Sequence, residues 1–184
     1  SNKTWYARWT ATYKNYTVTW NGNGGTPSKS SSSFHYNDAL GTLPTATRTG
    51  YTFKGWSTSA SGSVNVSTTT KVTGNVTYYA VWQINSYTLT VTAGAGGTVS
   101  GSGTYNYGAT VTLKATPSAG YHFVKWSDGN TNASRTVTVT GNATYTATFE
   151  QDPYLNLDKT SLTFEAAGGT QTVKVTSNVN WTVS

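Results

Sequence analysis

The chain has 184 residues, of which 10% are charged, 14% are aromatic and none is cysteine, so disulfides and thiolate metal sites are excluded. Its net charge is +6, but no two of the twelve basic residues are adjacent, and a nucleic-acid binder is expected to cluster them. No apolar run reaches the length needed to cross a membrane, so we expect no direct membrane insertion.

Thr, Ser, Asn, Val and Tyr dominate the sequence together with 19 glycines, which is typical of half-buried strands joined by tight turns. No stretch carries apolar residues at helical spacing over three turns. The composition therefore predicts an all-β or mainly β fold, with at most one helical turn, near Asn37 to Leu40.

A short aromatic string occurs twice. Residues 50–57 read GYTFKGWS and residues 120–127 read GYHFVKWS, an offset of 120 − 50 = 70 positions. Two copies at this spacing indicate a repeated module.

A second string, at residues 3–9, 77–82 and 144–149, has the alternation of a strand that closes each module. One alternating set stays aromatic, small, aromatic and is expected to face the core: Trp5, Ala7, Trp9; Tyr78, Ala80, Trp82; Tyr145, Ala147, Phe149. The other set varies between copies, as a solvent face does.

These strings divide the chain into four segments. Residues 1–12 are expected to hold the closing strand of a preceding repeat, 13–84 one full repeat, and 85–151 a shorter repeat. In the first repeat we expect a turn at residues 21–25 and a flexible loop from Ser28 to Ser33. Residues 152–184 alternate like the first strands of a sandwich-type module, after a boundary at Pro153.

Residues 13–84 resemble the Listeria–Bacteroides repeat, also called the internalin-type B repeat, through WNGNGG at 20–25, LP at 43–44, RTGYTFKGW at 48–56 and VTYYAVW at 76–82. Residues 85–151 resemble its divergent form, through GGTV at 96–99, YGATV at 107–111, GYHFVKW at 120–126 and YTATF at 145–149. The resemblance implies tandem, β-grasp-like modules in bacterial surface and secreted proteins, commonly as stalks or adhesive segments.

Residues 153–184 are similar to the first half of a BACON domain, an immunoglobulin-like module of Bacteroidetes. The similarity lies in LTF at 162–164, AAGGT at 166–170 and NWTV at 180–183. It implies carbohydrate or mucin binding and a partial β-sandwich at this end of the chain.

The titratable residues do not predict an enzyme. Glycoside hydrolysis normally needs two facing carboxylates, and neither repeat supplies such a pair. His35 near Asp38 and His122 near Asp128 do not occupy equivalent repeat positions, and no nucleophile-elbow motif accompanies them. We expect no catalysis and no cofactor.

The spacing of Asp128, Asn130 and Asn132 matches the start of a calcium loop. That loop requires a glycine at its sixth position and a glutamate at its twelfth, where this chain has Ala133 and Val139. A polar Asp-Gly turn without metal is therefore the expected structure.

Four aromatic residues are candidates for ligand binding: Tyr6, Tyr79, Trp56 and Trp126. Tyr6 and Tyr79 lie on the variable face and are the better surface candidates. By strict alternation Trp56 would point away from Tyr51 and Phe53, but a β-bulge at Gly55 would return it to the core. Trp56 and its equivalent Trp126 are therefore expected in the core.

The sequence thus favours a non-catalytic stalk or spacer segment of a bacterial cell-surface or secreted protein, with an adhesive role. The alternative is a set of carbohydrate- or mucin-binding modules that use exposed aromatic rings beside a glycan-active domain. Expected partners are glycans or surface proteins, and not nucleic acid. The terminal segments could also complete a neighbouring chain by strand addition.

Overall fold

The computed structural model describes residues 3–8, 13–163, 166 and 168–182. In this part of the chain the regular structure is entirely β, which confirms the mainly β prediction. The first repeat contains β1 Asn15–Asn21, β2 Thr26–Pro27, β3 Ser31–His35, β4 Ala46–Thr47, β5 Tyr51–Ser57 and β6 Val76–Ile84. The rest contains β7 Ser86–Ala93, β8 Gly97–Ser100, β9 Gly103–Asn106, β10 Thr110–Pro117, β11 Tyr121–Trp126, β12 Ser134–Thr138, β13 Ala143–Gln151, β14 Leu155–Leu157 and β15 Val175–Ser177.

The chain forms two compact units. The first comprises Ser1–Tyr87, Tyr105–Ala109 and Val139–Gly141, and the second comprises Thr88–Thr104, Thr110–Thr138 and Asn142–Ser184. The expected boundaries near residues 12, 84 and 151 stay predictions.

The main sheet of the first repeat has the strand order β3-β1-β6-β5. Its two central strands, β1 and β6, are the first and last strands of the repeat, and they run parallel, with Val18 opposite Val76 and Asn21 opposite Tyr79. The strands β3 and β5 flank them in antiparallel pairing. A parallel pair cannot be joined by a tight turn, so the segment between β1 and β6 crosses over the sheet.

The second repeat has the same topology. Its four-stranded sheet has the order β9-β7-β13-β11, in which the first strand β7 again pairs in parallel with the last strand β13. A further antiparallel sheet, β12-β10-β8, belongs to this repeat. In the first repeat only the two-residue strands β2 and β4 form a second sheet.

A β-bulge occurs at the same place in both repeats. In the first, Phe53 lies opposite Trp82, but Gly55 lies opposite the next residue, Val81, so Lys54 has no partner of its own. In the second, the shift falls between Phe123 and Lys125. Since an extra residue reverses the facing of everything that follows, the tryptophan after each bulge turns toward the core.

Aromatic rings fill the core of the first repeat. Trp56 is fully buried, and its ring centroid lies 4.9 Å from that of Trp20 and 5.4 Å from that of Phe53. Its Nε1 donates a hydrogen bond to the Pro44 carbonyl oxygen at 2.8 Å, which satisfies the one polar atom of the ring. Burial of Tyr78 beside Trp20 raises the pKa of its hydroxyl.

The second repeat also has a buried tryptophan at the centre of its core, packed against a phenylalanine ring. Trp126 is fully buried, lies 5.6 Å from Phe123 between ring centroids, and donates from Nε1 to the Asn132 carbonyl oxygen at 2.9 Å. Ala147 and Phe149, on the predicted core face of β13, are buried too, and so are Tyr78 and Ala80 on β6. The aromatic, small, aromatic alternation therefore identified the core face in both repeats.

Two local predictions were wrong. Ser31–Ser33 belong to β3 and not to a flexible loop, because their backbone pairs with β1 and Trp20 Nε1 donates to Ser32 Oγ at 3.0 Å. Asn37 has φ +66°, so the segment after β3 is a left-handed turn and not a helical one. Residues 3–8 carry no regular strand, and the expectation that residues 1–12 close a preceding repeat stays a prediction.

The C-terminal segment contains a short antiparallel pair, with Leu157 of β14 opposite Val175 of β15. Leu155 and Leu157 are each 47% exposed, as is Trp181. Of the residues quoted for the BACON resemblance, Phe164, Ala167 and Val183 lie outside the described residues. Strand addition through the terminal segments stays a prediction.

The bulges differ in one respect that can be tested. Gly55 has φ +143°, and a Cβ there would lie 2.8 Å from Val64 Cγ1, whereas Lys125 occupies the equivalent position of the second repeat. We expect Gly55→Ala to lower the free energy of unfolding of the first repeat by about 1–2 kcal/mol, because an L side chain rarely adopts this backbone conformation. Chemical denaturation of the full chain measures the effect.

Lys125→Ala is the matched control, since Lys125 is exposed and carries no such backbone constraint. Its effect should stay within about 0.5 kcal/mol. Equal effects of the two substitutions would show that the glycine is not what the first bulge requires.

Candidate functional site

Two of the four predicted ligand-binding residues, Trp56 and Trp126, are core residues. Each is 0% exposed, and the indole N–H of each is already bonded to a backbone carbonyl within its own repeat. Stacking on a sugar requires an open ring face, so neither ring is placed to act as a platform. The β-bulge is the physical reason, because without it both rings would point outward.

The other two candidates remain at the surface. Tyr79 is half-buried on the outward face of β6, where its neighbours across the ladder are Asn21 and Ser57. Tyr6 is 89% exposed and belongs to the segment without regular structure. The structure does not bring Tyr6 and Tyr79 together into one site, and a ligand for either stays a prediction.

The built polar site of the first repeat lies around a tight turn after β1. Asn23 adopts φ +48° and Gly24 φ +90°. The Asn23 side chain fixes this turn, because Nδ2 donates to the carbonyl oxygens of Ala60 at 2.8 Å and Ala80 at 3.0 Å. Two segments distant in sequence therefore hold the turn in place.

Arg48 packs its guanidinium against this turn. One face of the group lies over Gly24, where a Cβ would come within 3.1 Å of Cζ. The other face lies on the Tyr51 ring, with Cζ 3.8 Å from the ring centroid, a close cation–π contact. At the edge, Nη1 donates to the Asn23 carbonyl oxygen at 3.3 Å.

Arg48 also forms a wall shared by two open clefts. The larger has a volume of about 840 Å³ and is lined by Gly24, Gly25, Thr26, Ala46, Thr47, Arg48, Thr49 and Tyr51. The smaller has about 300 Å³ and lies toward Asn23, Ala60, Ser61, Gly62 and Trp82. Among the described residues no carboxylate comes within ion-pair distance of Arg48.

Arg48 is not among the site residues predicted from the sequence, although it lies within the motif that carries the resemblance. A usable signal was present: the residue two places before the repeated Gly-Tyr string is Arg48 in one copy and Ser118 in the other. A charged residue at a position where the sister repeat has a small one is not required by the shared fold.

The histidine and aspartate pairs are surface contacts. His35 Nδ1 lies 3.3 Å from Asp38 Oδ2, as their spacing suggested. His122 does not pair with Asp128 but with Asp152, at 2.9 Å between Nδ1 and Oδ1. In both pairs the side chains are about half exposed.

Asp128 belongs to a polar turn, as expected. Its carboxylate receives two hydrogen bonds from Arg135 Nη1, at 2.7 and 2.5 Å. Within the turn, the Asn132 N–H donates to Asn130 Oδ1 at 2.9 Å, a local contact between side chain and backbone that is typical of a polar turn. The described residues hold no cluster of three metal-ligating side chains.

The Asp128 contact makes a prediction about pH. The hydrogen bonds from Arg135 hold the pKa of Asp128 below its usual value of 3.8. A depressed folded-state pKa stabilises the fold above the unfolded-state pKa, and the contribution is lost as pH falls through the folded-state value. We therefore expect the Asp128 carboxyl to titrate below pH 3.8 by NMR.

Arg135→Gln should return the Asp128 pKa toward its usual value and reduce the loss of thermal stability between about pH 4 and pH 2. Asp38→Asn, in the first repeat, is the control and should leave the Asp128 titration unchanged. An unchanged Asp128 pKa in Arg135→Gln would contradict this account of the turn.

Comparison with known proteins agrees with the two repeats. Residues 16–81 match the model of the Listeria-Bacteroides repeat domain, and residues 87–153 match the model of the divergent InlB B-repeat domain. No solved structure matches the chain. No helix among the described residues is long and apolar enough to cross a membrane.

One curated relative, from Evansella cellulosilytica, is described by name as a Gly-rich membrane protein. It is 31% identical over 178 residues, which is 94% of this chain but 19% of that protein. This chain therefore spans about a fifth of the relative it matches.

The matches do not support the BACON-like interpretation of residues 152–184, which stays a prediction. The chain contains two tandem repeats, the first similar to the Listeria-Bacteroides repeat domain and the second similar to the divergent InlB B-repeat domain.

Proposed function

We propose that this chain is a non-catalytic spacer segment, built to resist tension, of a bacterial cell-surface or secreted protein. The observation that carries the proposal is the parallel pairing of the first and last strands in each repeat, β1 with β6 and β7 with β13. The repeat matches and the relative described as a membrane protein support the surface location.

Force along a tandem chain enters each repeat at its first strand and leaves at its last. When these strands are parallel neighbours, pulling their outer ends apart shears the ladder, so that all its hydrogen bonds carry load together. An antiparallel hairpin pulled at its open end breaks one bond after another and yields at lower force. Both repeats have the first arrangement, with four and five residue pairs in register.

An asparagine extends the ladder in both repeats. The N–H of Thr17, in β1, donates to Asn75 Oδ1 at 2.9 Å, and the N–H of Thr88, in β7, donates to Asn142 Oδ1 at 2.8 Å. Each asparagine comes just before the closing strand of its repeat. The first and last strands are thus also tied by a side chain, where the load would enter.

The short link between β6 and β7 suits a spacer segment as well. Only Asn85 lies between β6 and β7, and its N–H donates to the Gly50 carbonyl oxygen at 2.9 Å. The link from β6 to β7 is therefore one residue long, and its backbone N–H is hydrogen-bonded. The alternative function, recognition of glycans or mucin by exposed aromatic rings, would depend on Tyr79 and Tyr6, since Trp56 and Trp126 are buried.

Asn75→Ala should lower the rupture force of the first repeat when the full chain is pulled by its ends, because it removes the first bond of the sheared ladder. Single-molecule force measurements should show two unfolding events, each releasing about 240 Å of chain. One of the two should weaken in Asn75→Ala, and the repeat that retains Asn142 serves as the internal reference.

The direction of pulling provides the decisive control. Handles can be attached at introduced cysteines, because the chain has no cysteine of its own to interfere. Handles at Lys14→Cys and Gln83→Cys shear β1 against β6, whereas handles at Thr52→Cys and Gln83→Cys peel β5 from β6. The first pair should resist the higher force. Equal rupture forces in both directions would exclude the proposal that the repeats are built to resist tension.

A further inference from the structure

We propose that the Arg48 clefts of the first repeat form a binding site for the carboxylate or sulfate groups of an acidic polysaccharide. This proposal goes beyond the spacer function, and it does not use the aromatic candidates of the sequence analysis. It depends on how the guanidinium is held, on its lack of a counter-charge, and on the comparison with the second repeat.

The guanidinium is held in a fixed orientation. Gly24 covers one face and the Tyr51 ring the other, while Asn23 accepts a single hydrogen bond at 3.3 Å. A guanidinium has five N–H donors in a planar fork, so the remaining donors can only be reached in the plane of the group. That in-plane approach is the geometry of a bidentate bond to a carboxylate or a sulfate.

The charge of Arg48 has no partner within the described residues. The ion pairs there join His35 to Asp38, His122 to Asp152 and Arg135 to Asp128. Arg135, the other half-buried arginine described, is thus paired, whereas Arg48 is half-buried and has none. A half-buried cation that faces an open cleft is suited to an external anion.

The second repeat shows that the fold does not need this arginine. The Tyr51 N–H donates to the Arg48 carbonyl oxygen and the Tyr121 N–H to the Ser118 carbonyl oxygen, both at 3.1 Å, so Arg48 and Ser118 are equivalent. With serine there, Tyr121 packs directly on Gly96, where a Cβ would lie 2.2 Å from its ring. Arg48 is therefore an addition to the turn, inserted between the glycine and the tyrosine.

The lining of the larger cleft favours a saccharide over an acidic peptide. Its side chains are mainly small and hydroxylated, from Thr26, Thr47 and Thr49, and Gly24 and Gly25 expose backbone. Hydroxyl and backbone groups can bond to the hydroxyls of a sugar ring, whereas the cleft offers no apolar pocket for a peptide side chain. The net charge of +6 would add a weak, unspecific attraction for any polyanion.

The test is binding of the full chain to four probes at about 150 mM salt, where long-range attraction is screened. The probes are an oligogalacturonide, a sulfated galactan oligosaccharide, a neutral malto-oligosaccharide and an oligoglutamate. We expect binding of one or both acidic saccharides and not of the neutral one, and the first two probes distinguish carboxylate from sulfate. Binding of oligoglutamate equal to that of the saccharides would overturn the saccharide assignment.

Three variants locate the site. Arg48→Ser, which reproduces the residue of the second repeat, should lower affinity about tenfold or more, the usual effect of losing a charge-assisted hydrogen bond. Lys54→Ser removes the same charge from the exposed bulge of β5 and should change affinity less than about twofold. Arg48→Lys keeps the charge but lacks the fork, and it should bind almost as weakly as Arg48→Ser.

A thermal melt of each variant verifies that the first repeat remains folded. Equal losses in Arg48→Ser and Lys54→Ser, full affinity in Arg48→Lys, or no binding of either acidic saccharide would each overturn the proposal. None of these results bears on the rupture force of the parallel ladders, so failure of this proposal and failure of the spacer function are separable.

Discussion

The parallel ladder between the first and last strands is the constraint on which each repeat depends. Because neighbouring parallel strands cannot be joined by a short turn, the chain between β1 and β6 is long: it adds β3 and β5 at the two edges of the sheet, and the rest of it crosses over one face. In this protein strands and loops make that crossover, and its apolar residues, such as Leu40 and Val72, bury the aromatic face of the sheet. The same pairing that organises the core also means that tension on the two ends of the repeat would shear the ladder between β1 and β6.

The bulge in each outer strand, β5 or β11, determines which face of the sheet the following tryptophan occupies. Strict alternation would place Trp56 and Trp126 on the solvent side, with the rings of Phe53 and Phe123 facing inward alone. One unpaired residue brings both large rings of each strand onto the same face. The core of a small repeat without disulfides is thereby filled by the largest side chains available.

The two repeats show which features the fold requires and which it permits. Both contain the ladder, the bulge, the buried tryptophan and the asparagine before the closing strand. They differ at the residue in the bulge, Gly55 or Lys125, and at the residue beside the glycine turn, Arg48 or Ser118. The first difference alters local strain, and the second alters surface chemistry while the scaffold stays the same.

The sequence by itself determined the repeat, the β class and the core face of the closing strands, because a two-residue period and a duplicated string are local patterns. It could not determine that the serines of β3 form a strand, since their own composition is that of a loop and only pairing with β1 orders them. It also gave no means to find the site at Arg48. That site requires Gly24, Arg48 and Tyr51 to stack, and residues 24 positions apart meet only after the crossover has folded. Tertiary structure alone decided these features, because each depends on a partner that is distant along the chain.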